Sequence, residues 1–191
     1  MSTVTLTIEN TIAVITINNP PINATSHSVR AGIVDALDQI DANKAIKAAI
    51  LICDGKTFIA GADVGEFGLP PKDPILPDVI IRLESARVPV IAAIHGHALG
   101  GGLELALGCH YRIADVSAKL GLPEVNLGLI PGAGGTIRLP RLIATSDAIS
   151  MITSGKPITA TKANDLGLID AIAHGALRDA AMDFAQTIVQ H

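Results

Sequence analysis

Apolar and polar positions alternate in two short segments near the N-terminus and then change to helical spacing. Residues 4–8 and 12–17 alternate apolar side chains with Thr on either side of a polar turn, which predicts a β-hairpin. Apolar residues recur every three or four positions through 29–40, which predicts an amphipathic helix. Ser26 or Ser28 could cap that helix, because hydroxyl side chains accept hydrogen bonds from the first N–H groups of a helix.

Continuous apolar runs of strand length follow at 48–52 and 90–94. Such runs are typical of strands whose two faces are both buried. Shorter patterns predict further strands at 111–114 and 168–172. The remaining predicted helices are 100–107, 134–142, 146–153, 160–166 and 176–189. Pairs of strands followed by a helix, repeated along the chain, predict a layered α/β fold rather than a helical bundle.

Composition limits the classes of function. A chain of 191 residues with 49% apolar residues suits one domain, over residues 1–191, with a sizeable core, and it does not fit the disordered class. Aromatic residues make up only 2% of the chain, so there is little on which nucleic-acid bases could stack. The net charge of −4 supplies no basic surface for phosphates, and we expect no nucleic-acid partner.

The two cysteines and one long apolar stretch indicate in which cellular compartment the protein lies. Cys53 and Cys109 lie far apart without the neighbours of a metal or redox motif, which favours buried thiols in a reducing compartment. The N-terminus has no pattern of a secretory signal. Residues 88–107 are long enough for a membrane span, but Pro89, two histidines, Glu104 and a run of three consecutive glycines interrupt them. We therefore predict a soluble cytoplasmic protein with no membrane partner.

Two glutamates and one segment of small residues suggest chemistry. Glu104 follows a run of three glycines, and Glu124 follows Pro123 in a short loop. Two carboxylates suit proton transfer, and backbone N–H groups in the small-residue segment 58–63 could stabilise a developing oxyanion. Alone, Glu124 would be interpreted as a charge at a helix start, whereas apolar neighbours make a solvated helix face a weak explanation for Glu104. Four prolines within 68–77 predict a mobile loop over this site.

Long motifs around these residues resemble a known family. Residues 91–106, which read IAAIHGHALGGGLELA, and residues 122–136, which read LPEVNLGLIPGAGGT, are similar to the signature of the enoyl-CoA hydratase/isomerase (crotonase) superfamily. Residues 18–23 and 58–63 fit the same pattern. The resemblance covers nearly the whole chain and implies a spiral of ββα units, a trimeric or hexameric assembly and an acyl-CoA thioester as substrate.

Within that superfamily, the chain most resembles the N-terminal hydratase part of multifunctional fatty-acid oxidation proteins of the 3-hydroxyacyl-CoA dehydrogenase type. Residues 109–114 and 169–190 carry this closer similarity. Typical relatives continue beyond the position of His191 with helices that complete the trimer and cover the acyl pocket. We therefore expect a truncated C-terminal cover, and either a homo-oligomer or membership of a larger multifunctional chain.

The resemblance assigns roles to individual residues. It implies that Glu104 activates a water molecule, that Glu124 exchanges the proton at C2 of a trans-2-enoyl-CoA, and that the N–H groups of Ala60 and Gly101 form the oxyanion hole. The implied substrate-binding residues are Ala62, Asp63, Gly100, Pro131 and Gly132. Asp63 is also expected to fix its own turn through local hydrogen bonds.

Two other functions remain open from the sequence. Family isomerases use the carboxylate that matches Glu124, so Δ3–Δ2 enoyl-CoA isomerisation is an alternative or additional activity. Because the cover helices are missing, the chain could instead be a non-catalytic module that binds acyl-CoA.

Cofactor and metal sites are not expected. The glycine-rich segment 132–136 lacks the G-x-G-x-x-G spacing of a dinucleotide site. His95 and His97, at i and i+2, could share one face of a strand and ligate a metal, but a structural role is the favoured interpretation. We predict no metal and no cofactor other than the coenzyme A of the substrate.

Overall fold

The computed structural model describes residues 2–66 and 68–190 and has an α/β architecture built on two sheets. The strands are β1 (Val4–Glu9), β2 (Ile12–Ile17), β3 (Ala48–Cys53), β4 (Ile59–Ala60), β5 (Val90–Ile94), β6 (His97–Leu99), β7 (Tyr111–Asp115), β8 (Lys119–Gly121), β9 (Ile158–Thr159) and β10 (Ala171–Ala173). The helices are α1 (His27–Ala42), α2 (Leu76–Glu84), α3 (Gly101–Leu107), α4 (Gly135–Leu142), α5 (Thr145–Ser154), α6 (Ala160–Asp165) and α7 (Leu177–Gln190).

The larger sheet has the strand order β1-β2-β3-β5-β7-β10 and is covered on both faces. β1 and β2 are antiparallel, and the other neighbours pair in parallel. Ala13 and Ile15 of β2 face the core that contains α1, α2 and α3, whereas Ile12 and Val14 face the core that contains α7. Burial of both faces explains why β3 and β5 are continuously apolar.

The smaller sheet, in the order β4-β6-β8-β9, places the candidate site. β4 pairs in parallel with β6, and β6 with β8, so the ends of three short strands lie side by side. α3 begins directly after β6 and packs against β4 at Gly102, where a Cβ atom would lie 2.1 Å from the carbonyl oxygen of Ile59. Glycine is needed for this close approach, which brings the N-terminus of α3 beside the segment that follows β4.

Most of the predicted elements are confirmed, including the hairpin, the helix predicted over 29–40, which is observed as α1, and the buried strands β3 and β5. The predicted strand at 168–172 is mostly wrong, since only Ala171–Ala173 pairs. The sequence did not predict α2 or the smaller sheet. His95 lies before β6, which begins at His97, so the two histidines do not share a strand. No helix in the described part of the chain is long and apolar enough to cross a membrane.

Candidate active site

A cavity of about 460 Å³ brings together the residues that carry the predicted chemistry. It lies between the segment after β4, the start of α3, a 3₁₀ turn at Glu124–Leu127 and the first residues of α2. Its lining is mostly apolar, and Glu104 and Glu124 both open into it. The remaining predicted site residues on its wall are Ala60, Ala62, Gly100, Gly101 and Gly132. The first turn of α2, at Leu76 and Pro77, closes one side, whereas the sequence predicted a mobile loop through residue 77.

Glu104 is held in the first turn of α3 and is only 3% exposed. Its Oε1 accepts hydrogen bonds from the backbone N–H groups of Ala133 (2.8 Å) and Gly135 (2.9 Å). Burial raises the pKa of the Glu104 carboxyl, and the two N–H donors act in the opposite direction. One carboxylate oxygen is therefore fixed by the protein backbone, and no described residue donates to the other, Oε2.

Glu124 begins the 3₁₀ turn and is half-buried. Its Oε2 is buried and has no hydrogen-bond partner among the described residues. Burial raises the pKa of this carboxyl, and the negative charge of Glu104 raises it further. A carboxyl in this environment keeps its proton to higher pH than an exposed glutamate, which favours a role as a proton donor.

Glycines leave room for both carboxylates. A Cβ atom at Gly100 would lie 3.2 Å from Oε1 of Glu124, and one at Gly135 would lie 3.1 Å from Oε1 of Glu104. A larger side chain at either position would crowd the carboxylate of one glutamate. The glycine-rich segments thus allow two acidic groups to face one cavity, where their pKa values interact.

The backbone donors differ from those predicted in one respect. The N–H of Ala60 donates to the carbonyl oxygen of Ile22 at 3.1 Å, so it is not free for a ligand, and the prediction of Ala60 as an oxyanion donor is not supported. Within residues 2–66 and 68–190, the N–H groups of Ala62 and Gly101 have no acceptor, and both residues line the cavity. Gly61, with φ of +114°, turns the chain so that Ala62 follows the strand without joining it. The sequence does not reveal which alanine N–H of this segment lacks an acceptor, because it does not locate the end of β4.

Two of the predicted substrate-binding residues, Asp63 and Pro131, lie near the cavity but do not line it. Oδ1 of Asp63 accepts from the N–H of Gly65 at 2.9 Å, which agrees with its expected role in fixing the turn, and Asp63 does not line this cavity. Pro131 is buried beneath the wall and does not line it either. In the described part of the chain, no cluster of three or more His, Cys, Asp or Glu side chains could hold a metal ion.

The raised pKa of Glu124 predicts a pH-dependent cost to stability. A carboxyl whose folded pKa lies above its unfolded value of about 4.5 stabilises the fold at low pH, and this contribution is lost as pH rises through the folded pKa. We therefore expect Glu124→Gln to raise the unfolding temperature relative to the unmodified chain at pH 7 to 8, with the difference shrinking toward pH 4. Thermal unfolding followed by circular dichroism across this range is the measurement, and a difference that is constant with pH would contradict the expectation.

Comparisons with known proteins agree with this geometry. The family model described as enoyl-CoA hydratase/isomerase matches residues 7–191. The chain is 46% identical over 176 residues to a probable enoyl-CoA hydratase of Bacillus subtilis, covering 88% of this chain and 68% of that protein. It is 45% identical over 184 residues to the peroxisomal bifunctional enzyme of Homo sapiens, covering 95% of this chain and 25% of that protein.

Solved structures give the same result for the fold. The crystal structure of enoyl-CoA hydratase from Mycobacterium tuberculosis matches 100% of this chain and 77% of its own, with a TM-score of 0.93 and 34% identity. The fold is therefore the crotonase-like α/β fold that the motifs predicted. The chain spans about a quarter of the length of the peroxisomal bifunctional enzymes that it matches.

Proposed function

The chain belongs to the enoyl-CoA hydratase/isomerase family, and from this premise we propose that it adds water across the double bond of a trans-2-enoyl-CoA thioester. The product is a 3-hydroxyacyl-CoA, an intermediate of fatty-acid β-oxidation. The observation that carries the proposal is that one cavity holds a buried and a half-buried carboxyl together with two backbone N–H groups that have no acceptor among the described residues. Acid, base and oxyanion stabilisation are the components that this reaction requires.

The glutamates have complementary roles in the proposed reaction. Glu104, ionised and fixed through Oε1, uses its other oxygen to take a proton from water as the water oxygen bonds to C3. Glu124, protonated at its unpaired oxygen, gives a proton to C2 on the same face. One water molecule is consumed, and exchange of a proton between the two carboxyls through the cavity restores the starting state.

Charge that develops on the thioester oxygen needs donors that are already oriented. We assign this role to the N–H groups of Ala62 and Gly101, in place of the predicted pair of Ala60 and Gly101. Gly101 is the first residue of α3, and the first N–H groups of a helix have no acceptor within the helix. Two such donors in a largely apolar cavity stabilise an enolate oxygen more than they stabilise the neutral carbonyl.

The choice between Ala62 and Ala60 can be tested by replacing one backbone amide with an ester, which removes the N–H and keeps the side chain. We expect the ester at Ala62 to lower kcat by about 10²- to 10³-fold, as for loss of one oxyanion donor. The ester at Ala60 should cost about 1 kcal/mol of stability through the lost bond to Ile22 and leave kcat nearly unchanged. The opposite ranking of kcat would restore the original assignment.

The proposed contacts to the substrate come from residues that line the cavity. Ala62, Gly100 and Gly132 offer backbone close to the reacting atoms, while Asp63 and Pro131 support the segments that present them. We propose that the reaction needs no metal and no cofactor beyond the coenzyme A of the substrate. The protein groups described above supply the acid, the base and the oxyanion donors.

One observation supports isomerisation as a second activity. The unpaired Oε2 of Glu124 could remove a proton from C4 of a 3-enoyl-CoA and return it to C2, a reaction that uses no water. Incubation with trans-2-enoyl-CoA and, separately, with 3-enoyl-CoA, followed by chromatography of the thioesters, distinguishes the two activities. Binding of acyl-CoA with no turnover of either substrate would favour a non-catalytic binding module.

Assembly and location are further proposals. Leu127 and Ile130 line the cavity and are 71% and 77% exposed, which supports cover by a second copy or by another part of a larger multifunctional chain. A homo-oligomer, trimeric or hexameric, is the form we propose, and sedimentation analysis tests it. The cytoplasmic location and the single domain over residues 1–191 stay predictions, since relatives include both a Bacillus subtilis protein and peroxisomal enzymes.

A further inference from the structure

Arg138 connects helix α4, the end of α2 and the loop that precedes α4. It lies in α4, and its Nε and Nη2 donate to Oε1 (2.7 Å) and Oε2 (2.6 Å) of Glu84, the last residue of α2. Its third nitrogen, Nη1, donates to the carbonyl oxygen of Ala133 at 3.0 Å. Only 15% of the Arg138 side chain is exposed, and its three nitrogens all donate hydrogen bonds, so the guanidinium has a fixed orientation.

The ion pair between Arg138 and Glu84 places a negative charge at a helix end where it does not stabilise the helix. Glu84 ends α2, where a negative charge is opposed by the helix dipole. Its hydrogen bonds to Arg138 lower the pKa of the Glu84 carboxyl, which keeps it ionised. Two parallel hydrogen bonds from one guanidinium fix its orientation as well as its position.

The loop beside the guanidinium is shaped to fit it. Gly134 has φ of +97°, and a Cβ atom there would lie 2.0 Å from Nη1 of Arg138. The held carbonyl of Ala133 lies, along the chain, between the N–H of Ala133 and the N–H of Gly135. Those two N–H groups are the donors to Oε1 of Glu104.

We propose that Arg138 is a positioning residue for Glu104, which fixes the Ala133 carbonyl so that the flanking N–H groups converge on one carboxylate oxygen. The inference rests on the proposed hydration activity for its kinetic consequence. Arg138 does not line the cavity and does not touch the reacting atoms; it acts through the loop. Burial raises the pKa of Glu104, and the N–H groups of Gly135 and Ala133 and, to a smaller extent, the positive charge of Arg138 act in the opposite direction.

The kinetic test uses Arg138→Lys, which keeps the charge without the planar fork, and Arg138→Gln, which loses both. We expect kcat for hydration to fall by about 10- to 100-fold in the glutamine variant, because small displacements of a catalytic group are costly, with KM changing little. The acid limb of the kcat profile, which reports ionisation of Glu104, should move to higher pH. In the lysine variant, the retained charge should reverse part of the shift of the acid limb, but kcat should stay close to that of the glutamine variant.

Arg141→Gln is the matched control, since Arg141 lies one turn further along α4, is exposed, and makes no ion pair in the described part of the chain. Glu84→Gln is the second variant, for use if Arg138→Gln does not fold. This variant weakens the hydrogen bonds that Glu84 accepts from Arg138 and leaves Arg138 itself unchanged. It should lower kcat by a smaller factor than Arg138→Gln does. If Arg138 contributes only to stability, its variants will unfold at lower temperature but keep the acid limb and kcat, and that result would overturn the inference.

Failure of the inference can be separated from failure of the proposed function. The pKa of Glu104 is measured directly by carbon-detected NMR titration of carboxyl-labelled protein, which needs no turnover. A Glu104 pKa that rises in Arg138→Gln and stays raised in part in Arg138→Lys, which keeps the charge, with no change in Arg141→Gln, supports the positioning role even if the unmodified chain hydrates nothing. An unchanged Glu104 pKa would overturn the role whether or not the chain is active.

Discussion

Glu104→Gln should lower kcat for hydration of a trans-2-enoyl-CoA by about 10²- to 10⁴-fold, the range typical of a lost general base. The glutamine oxygen can still accept from the N–H groups of Ala133 and Gly135, so the fold of the loop should be kept. What is lost is the negative charge that takes the proton from water. Steady-state kinetics with crotonyl-CoA measures the effect, and KM should change far less than kcat.

Glu124→Gln is the matched companion, because it removes the proposed proton donor to C2 while leaving the water site in place. We expect a loss of hydration in the same range. The two variants should differ on 3-enoyl-CoA: Glu104→Gln should keep any isomerase activity, whereas Glu124→Gln should lose it. Near-normal hydration by either variant would contradict the roles assigned here.

Gly101→Pro should lower kcat by about 10²- to 10³-fold, because it removes one donor of the proposed oxyanion hole. Gly101 is the first residue of α3, the helix position at which proline is best tolerated since its N–H has no partner within the helix. The substitution therefore removes the N–H with limited effect on the helix itself.

Gly101→Ala is the control for this substitution. Both variants add a Cβ atom 2.9 Å from Cδ2 of Leu76, and this crowding can be relieved by movement of the leucine side chain. Only the proline variant lacks the N–H, so the ratio of the two kcat values isolates the donor. Equal loss in both variants would assign the effect to crowding and contradict the oxyanion role of Gly101.

Local patterns predicted the elements whose residues are buried on a regular repeat. β3 and β5 were predicted because both faces of the larger sheet are covered, and α1 because one side of it packs on that sheet. The smaller sheet was missed because its strands are two or three residues long, too short for a periodic signal. α2 was missed because prolines precede it and Pro77 lies in its first turn, a position that helices accept.

Sequence motifs singled out the two glutamates of the candidate site. Glu104 and Glu124 stand in long motifs, and the structure brings both to one cavity. The Ala62 N–H, proposed as an oxyanion donor, was missed because the availability of an N–H depends on strand pairing, which no residue type reveals. Arg138 was missed for a related reason: its partner Glu84 lies 54 residues away, and only the folded chain shows that it holds the loop behind Glu104.

The central claim is that this chain adds water to an enoyl-CoA by means of two glutamates. The most direct measurement is mass spectrometry of the thioester products after incubation of crotonyl-CoA with the chain in ¹⁸O-labelled water. We predict a 3-hydroxyacyl-CoA that carries one ¹⁸O atom at C3, formed by the unmodified chain and not by the Glu104→Gln, Glu124→Gln double variant. Recovery of unchanged crotonyl-CoA from the unmodified chain, or equal labelling by the double variant, would contradict the claim.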